Sequence, residues 1–428
     1  MQINRRSFLM QAAPILLRRD KLRLASFGGG GMAWVTLDGI ASHPNVTLAA
    51  VADVDSAQLA RVKKKYPEAR VYEDWRRMLD QERKNLDLAC VGTPDHMHAP
   101  MAMSALHLGL PVYVQKPLAH DIYEVRKLTE MARKRKLVTQ MGIQRHSSAE
   151  YLLAVQLIQS GAIGKVKEVH SWSEKKWGDM NPLPERRDPV PDTLNWDLWL
   201  GVAAARPYIQ GCYHPSEWRK RIDFGTATFG DMGCHIYDPV FASLELTAPL
   251  TVRSEGPAPP NPHNWAVNTV IHYVFPGTRF CEGKTVHVTW YDGDERPPRE
   301  VQALIGSKRL PGQGSIFLGT QGVMLLPHIG MPVLLPEERF KGFTMPKVEA
   351  VNHYHQFVDA VLGKSKASTA LNYSGPLTEA VLLGPVATRF PKTTLEWDAR
   401  RMKFRNSREA GRYVRRQYRA GWKVKGLS

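Results

Sequence analysis

A chain of 428 residues, 43% of them hydrophobic, can bury a large core without covalent staples and has room for two domains. Its four cysteines, Cys90, Cys212, Cys234 and Cys281, stand at no CxxC or metal-ligand spacing, which argues against a disulfide scaffold and a structural zinc site and leaves buried thiols. The net charge of +17 is gathered at the ends: residues 400–428 hold eleven Lys or Arg against Glu409 alone, and residues 1–23 hold six against Asp20 alone. The body between them is close to neutral, so no nucleic-acid partner is expected.

Residues 1–21 contain "NRRSFLM" (Asn4 to Met10), which resembles a twin-arginine export signal, with "FLMQAAPILL" as its apolar stretch. Arg18 and Arg19 stand where a small-residue cleavage site is expected. The segment is therefore read in two ways: a leader, making the protein periplasmic or exported, or a basic amphipathic start to a cytoplasmic protein. Its ten or so apolar residues are too few to span a bilayer, and no integral membrane segment is expected elsewhere.

From residue 22 to 145, short apolar runs alternate with helical periods. "LRLASF", "TLAAVAD", "LDLACVG", "PVYVQ" and "VTQMG" read as strands buried on both faces, while "SAQLARVKKKY" and "IYEVRKLTEMARKRK" read as amphipathic helices. That alternation predicts a parallel sheet. "SFGGGGMAW" follows the first strand in the G-x-G-x-x-G/A register: Gly28 for a tight turn, Gly30 for approach to a pyrophosphate, Ala33 for close helix packing. The second strand ends at Asp53, where a carboxylate can accept hydrogen bonds from a ribose and repel a 2′-phosphate, which favours NAD over NADP. "VGTPDHMHAP" (Val91 to Pro100) and "VQKPLAHD" (Val114 to Asp121) end later strands on the same crevice. Thr93, Pro94, His98, Gln115 and Lys116 are therefore assigned to the cofactor. His96 and His98 lack the companion ligands of a metal site and are read as part of a cofactor-lining turn; no metal is expected. Lys116 precedes Pro117, which disfavours helix and holds it extended at the strand end.

Residues 146–400 have a different texture, with longer alternating strands in "KVKEVHSWSEKKW", "NTVIHYVF", "TVHVTWYDG", "SIFLGTQGVMLL" and "TTLEWD". These predict a large, mostly antiparallel sheet with "TQG" as a hairpin turn. Trp177, Trp196, Trp199, Tyr213 and Trp218 are mixed with His170, Lys175, Lys176, His214 and Arg219, a combination suited to carbohydrate recognition. Trp196 and Trp199, three apart, are read as core or subunit contacts, and Tyr213, His214 and Trp218 as pocket residues. "GDMGCHIYDP" sets Asp231 and His235 four apart, on one face of a helix. The basic tail, 401–428, includes "NSREAGRYVRRQYRAGW", which reads as a helix whose Tyr413, Tyr418 and Trp422 pack it onto the body.

In order and spacing, "GGGGMA", "ADVD", "GTPDHMH", "VQKPL", "GIQRH" and "GDMGCHIYD" resemble the Gfo/Idh/MocA oxidoreductases over most of residues 22–400. "NWDLWLGVAAARPY", "YHPSEWR" and "VRRQYRAGW" are similar to a branch of that family often carrying twin-arginine leaders. The family's usual Glu-Lys-Pro is Gln115-Lys116-Pro117 in this chain. The resemblance implies an N-terminal Rossmann domain and a C-terminal α/β domain with a large open sheet. It also implies a homo-oligomer, dimer or tetramer, NAD as cofactor, and a carbohydrate or cyclitol substrate. On this resemblance Lys116, Asp231 and His235 meet beside the nicotinamide, and Gln144 of "GIQRH" joins the substrate contacts. His235, titrating near neutrality, would accept the hydroxyl proton, Asp231 would orient, and Lys116 would stabilise the developing alkoxide. The expected activity is oxidation of a secondary hydroxyl of a sugar, glycoside or cyclitol. Two alternatives stand beside it: a redox-neutral glycoside hydrolase, which an exported protein without a nicotinamide pool would require, and a non-catalytic dinucleotide-binding sensor.

Overall fold

A computed structural model describes residues 21–428; the possible leader lies outside the described residues. Strands β1 (Leu22–Phe27), β2 (Val46–Ala52), β3 (Arg70–Tyr72), β4 (Leu88–Val91), β5 (Val112–Gln115) and β6 (Thr139–Gly142) form a parallel sheet in the order β3-β2-β1-β4-β5-β6. Every residue of β4, β5 and β6 is buried, in keeping with strands covered on both faces, and the polar members Gln115, Thr139 and Gln140 are buried with the rest. Helices α1 (Gly31–Ala41), α2 (Ser56–Lys65), α3 (Trp75–Glu82), α4 (Asp95–His107) and α5 (Ile122–Arg135) cross between the strands. Five strands coincide with the predicted runs. β3 escaped because three residues, two of them exposed, carry no period. The strand order reverses between β1 and β4, so the crevice lies at their carboxyl ends.

The second domain presents nine strands: β7 (Val166–Ser173), β8 (Thr251–Gly256), β9 (Val270–Pro276), β10 (Thr285–Asp292), β11 (Gln313–Gly319), β12 (Val323–Pro327), β13 (Val333–Leu335), β14 (Thr394–Asp398) and β15 (Lys403–Phe404). Their order is β13-β12-β11-β7-β10-β9-β8-β14-β15. All neighbours are antiparallel except β7 and β10, whose pairing is parallel. The helices are α6 (Ala149–Gln159), α7 (Trp196–Leu200), α8 (Ala227–Ile236), α9 (Asp238–Leu244), α10 (Arg299–Ala303), α11 (His353–Val361) and α12 (Leu371–Thr388). Packing fixes α8 against the sheet: Phe229 lies 4.6 Å, centroid to centroid, from Trp290 on β10. α12 runs beside it, and the Tyr273 hydroxyl on β9 donates to the Ala380 carbonyl at 2.8 Å.

Late in the chain α11 returns to the first domain, burying Phe357 and Val358 against Leu24, Leu37 and Tyr113. Arg126 on α5 makes a bidentate pair with Glu379 on α12, both bonds 2.6 Å, tying the two layers together. The tail corrects a prediction. After β15, only Ala410–Tyr413 form a single 3-10 turn, and the rest is an irregular strap across α5 and α4 rather than a helix. Its backbone is held from outside: the Tyr123 N–H donates to the Val414 carbonyl and the Arg416 N–H to Asp121, each at 3.0 Å. The strap aromatics do pack on the body, Trp422 under Arg76 and the Tyr418 hydroxyl donating to Glu124 at 2.6 Å. Among the described residues all four cysteines are buried free thiols, and no helix is long and apolar enough to cross a membrane.

Candidate functional site

At the nucleotide end the backbone does the shaping. Gly28 sits at φ +101°, where a Cβ would meet the Ala33 Cβ at 2.7 Å, so turn and helix close only with small residues at both positions. α1 then starts at Gly31 with no side chain capping its first N–H groups and no acid in its first turn, which leaves them free for an anion. Asp53 closes the turn from the other side. It accepts the Gly29 N–H at 2.7 Å and the Asp55 N–H at 2.9 Å, while burial pushes its carboxyl upward. A cleft of about 350 Å³ opens here, lined by all nine predicted cofactor residues: Gly28, Gly30, Ala33, Asp53, Thr93, Pro94, His98, Gln115 and Lys116. The glycine cradle, the uncapped helix start and the carboxylate fit a dinucleotide.

The turns after β4 and β5 are tied together by His98, whose Nδ1 lies 2.7 Å from the Pro117 carbonyl and Nε2 2.6 Å from that of Thr93. Burial pushes this imidazole down to about 4, so the neutral ring has one N–H for two carbonyls. Gln115 is buried and donates to the Thr36 hydroxyl at 2.9 Å, joining the β5 end to α1.

At the far end of the cleft two domains meet through charge. The Lys116 ammonium donates to Asp231 Oδ1 at 2.8 Å and to the Asp231 carbonyl at 2.7 Å. Arg219 Nε donates to the same Oδ1 at 3.2 Å. Burial opposes ionisation of Asp231, but the Lys116 and Arg219 charges win and hold its carboxyl well below the usual range. Asp95 is different. Burial pushes it up to about 7 against the pull of Lys116, and its Oδ2 accepts the Thr226 hydroxyl at 2.8 Å. The glycine at 230 has a packing cause: a Cβ there would lie 2.0 Å from the Thr226 hydroxyl oxygen.

His235 follows one turn after Asp231 on α8 and does not line the cleft. Its ring stands 5.7 Å from that of His328, and its buried Nδ1 has no hydrogen-bond partner among the described residues. Titration near neutrality is corrected: burial first, then Lys116 and His328, drive this imidazole well below its ordinary value, so it is neutral. His328 is likewise pushed down to about 4 by burial.

Three substrate expectations are relocated by packing. Tyr213 is 1% exposed, inside a cluster with Trp196, Trp199 and Phe224, and is a core residue. Trp196 and Trp199 stack at 4.8 Å in that cluster. His214 does line the cleft, but at the Asp53 end, 3.4 Å from Asp55 Oδ2. Gln144 lies outside the cleft lining and donates to the Tyr354 hydroxyl at 3.0 Å. Trp218 lines the cleft and carries the Arg219 guanidinium on its ring at 4.3 Å. Sequence reasoning missed Asp95 and His328 altogether and did not single out Arg219. Arg219 had a signal, since it ends the "YHPSEWR" motif, whereas His328 lies in a segment with no motif. The two motifs "GIQRH" and "GDMGCHIYD" meet directly: His146 Nδ1 is 2.9 Å from Asp238, whose carboxylate raises the imidazole against the effect of burial.

Comparison with known proteins agrees with this architecture. An inositol 2-dehydrogenase of Rubrobacter xylanophilus is 30% identical over 161 residues, covering 36% of this chain and 45% of that protein. A glycosyl hydrolase family 109 protein of Stenotrophomonas maltophilia is 31% identical over 117 residues, 25% of each chain. The matches thus span less than half of these relatives. Among solved structures, the WlbA dehydrogenase of Chromobacterium violaceum in complex with NADH and UDP-GlcNAcA superposes with a TM-score of 0.63 at 16% identity, over 89% of this chain and 97% of that one. Residues 22–143 match the family model described as oxidoreductase family, NAD-binding Rossmann fold, and residues 157–282 match the model of its C-terminal alpha/beta domain. With both domains matched in order, the chain belongs to the Gfo/Idh/MocA oxidoreductase family.

Proposed function

We propose that the protein is an NAD-dependent oxidoreductase acting on a secondary hydroxyl of a sugar, glycoside or cyclitol. The observation that carries this reading is the Lys116–Asp231 contact at 2.8 Å on the wall of the same cleft that the Gly28 turn and Asp53 shape for a dinucleotide. The uncapped start of α1 would hold the pyrophosphate, Asp53 the adenosine ribose, and Thr93, Pro94, His98 and Gln115 the wall beyond it. When bound, NAD⁺ supplies an acceptor for the hydride of the substrate's carbinol carbon.

The chain supplies the rest. Lys116 places a cation where alkoxide character develops, and the network orients it by engaging two of its three N–H donors on Asp231. Asp231, held ionised, is too weak a base to take the hydroxyl proton. We assign that role to His235, one turn further along α8, whose neutral imidazole can accept a proton; it stands behind the cleft lining, and burial weakens it as a base too, so the assignment rests on its place beside Asp231 and on the test below. Arg219 offers a donor to a ring substrate, backed by the largely buried Trp218 ring on which its guanidinium lies. The inositol 2-dehydrogenase, and a levoglucosan dehydrogenase of Pseudarthrobacter phenanthrenivorans that is 22% identical over 165 residues, support this substrate class. Exchanging His235 for Ala and following NADH formation with a panel of polyols tests the assignment. Loss of about 10²-fold or more in kcat with the fold intact fits general-base work, and unchanged turnover overturns it.

A second reading is favoured by the glycosyl hydrolase relative. In it, oxidation of the sugar acidifies the neighbouring C–H, His235 takes that proton, Lys116 stabilises the enolate, the aglycone leaves, water adds and the ketone is reduced again. Cleavage of a glycoside in D₂O with deuterium beside the oxidised carbon and no net NADH would establish it. NADH accumulating in step with product, without deuterium, would rule it out.

A further inference from the structure

Away from the cleft, a second cavity of about 300 Å³ lies between the start of α5, the end of α12 and the C-terminal strap. Its walls carry four arginines, Arg389, Arg412, Arg415 and Arg416, against two aspartates, Asp121 and Asp223. Both carboxylates are already engaged. Asp121 caps α5 by accepting the Glu124 N–H at 2.8 Å and also takes the Arg416 N–H at 3.0 Å, and Asp223 pairs with Arg206. Glu124, the next acid, accepts the Tyr418 hydroxyl at 2.6 Å and the His120 N–H at 3.1 Å.

The arginines are not equally satisfied. Arg415 lies over the Tyr123 ring and donates to the Leu427 carbonyl at 3.0 Å. Arg389 is held by ring faces, 4.3 Å from the centroid of Tyr413 and 4.9 Å from that of Trp265, and Arg416 lies 5.9 Å from that of Tyr418. Among the described residues neither Arg389 nor Arg416 makes an ion pair within 4.0 Å, although the Arg416 charge pulls the buried Asp121 and Glu124 carboxyls downward against the effect of burial. The Nη1 group of Arg416 is shut off from solvent with no acceptor at all. A buried donor without a partner, as at Arg416, is disfavoured, and a guanidinium held on ring faces, as at Arg389, keeps its edge N–H groups for a planar or tetrahedral oxoanion.

We propose that this cavity binds a small oxoanion, a phosphate or carboxylate group held by Arg416 and Arg389, with any organic remainder lying on Trp265, Leu382 and Pro385. The position matters to the reaction. Thr226 lines this cavity and donates to Asp95 in the cofactor cleft, and His120 and Asp121 continue the turn that begins at Lys116. A bound anion would therefore brace both segments that present the charged end of the cleft.

The test uses the full chain saturated with NAD, so that the pyrophosphate position is filled, and titrates inorganic phosphate or phenyl phosphate at constant ionic strength by calorimetry. Binding of either that depends on Arg389 and Arg416 supports the site. Tighter binding of phenyl phosphate assigns an organic anion, and equal binding assigns free phosphate. Arg416→Gln and Arg389→Gln should each weaken binding about tenfold or more, with Arg416→Lys intermediate. Should the variants fold poorly, the unaltered protein still decides. Phosphate should slow phenylglyoxal modification of Arg389 and Arg416, mapped by mass spectrometry, while leaving the exposed Arg77 unprotected. No binding of either probe, or binding and protection indifferent to these two arginines, would overturn the proposal.

Discussion

The two ends of the cleft are built from opposite materials. The nucleotide end is made of backbone and of missing side chains: Gly28, Gly30 and Ala33 leave room, α1 leaves N–H groups free, and Asp53 is held by two backbone donors. The far end is made of charge, with Lys116, Arg219, Asp231 and Asp95 crowded into one buried network drawn from both domains. The first end should be sensitive to added volume and nearly indifferent to pH. The second should tolerate volume better and respond sharply to any change of charge, because a buried charge deprived of its partner keeps its desolvation cost.

The largest effect is expected from Lys116→Met, a change of charge at nearly constant volume. It should lower kcat with a polyol by about 10³-fold, the scale for losing a placed electrostatic donor. NAD affinity, measured by fluorescence titration, should change far less. Equal losses in both would erase the distinction between the ends.

Asp95 sharpens the same contrast through pH. Burial pushes its carboxyl up to about 7, above the unfolded value, so the folded chain holds this proton where the unfolded chain has released it. Its contribution to stability is complete below about pH 4, falls by up to about 1.4 kcal/mol per unit as pH rises, and is lost above about pH 7. Over that span the change approaches roughly 4 kcal/mol, an upper figure. Asp95→Asn should flatten denaturant midpoints across this window, and an unchanged slope would count against a buried, protonated Asp95.

Gly28→Val probes volume. The φ of +101° is strained for any side chain and the new Cβ would meet Ala33 at 2.7 Å. NAD affinity should fall by about 10²-fold, equivalent to roughly 2.7 kcal/mol. The effect should be the same at pH 6 and pH 8, since no charge is altered. The smallest effect is expected at Tyr213, which the fold places in the core cluster. Tyr213→Phe should leave KM within about twofold, whereas Tyr213→Ala should cost about 3–5 kcal/mol of stability. A large KM change in the Phe variant would return Tyr213 to the substrate pocket.

Legibility followed the range of the interactions. β1, its glycine turn and α1 are contiguous, and their steric demands are written in neighbouring residues, so register and Asp53 were readable. β3, β8 and β13 were missed because their runs are short or half exposed. The tail misled because its arginines and aromatics recur at helical spacing while their partners, Asp121, Glu124, Tyr123 and Arg76, lie elsewhere in the chain. Tyr213 and Trp218 look equivalent in sequence, and only packing separates a core ring from a cleft wall.

Periodicity and the glycine register by themselves indicated a parallel dinucleotide-binding sheet and a second, mostly antiparallel sheet, and the carboxylate of Asp53 favoured NAD, because strand burial, turn sterics and a residue at a strand end are local properties. The tertiary structure alone decided which charges meet. Lys116 directly follows a strand of one domain, Asp231 rides a helix of the other, and Arg219 sits in a single 3-10 turn, Glu217–Lys220. Burial then sets their ionisation, holding Asp231 charged beside two cations, Asp95 near neutrality and His235 uncharged, because solvent exclusion and the partners at each carboxyl or ring depend on the assembled fold.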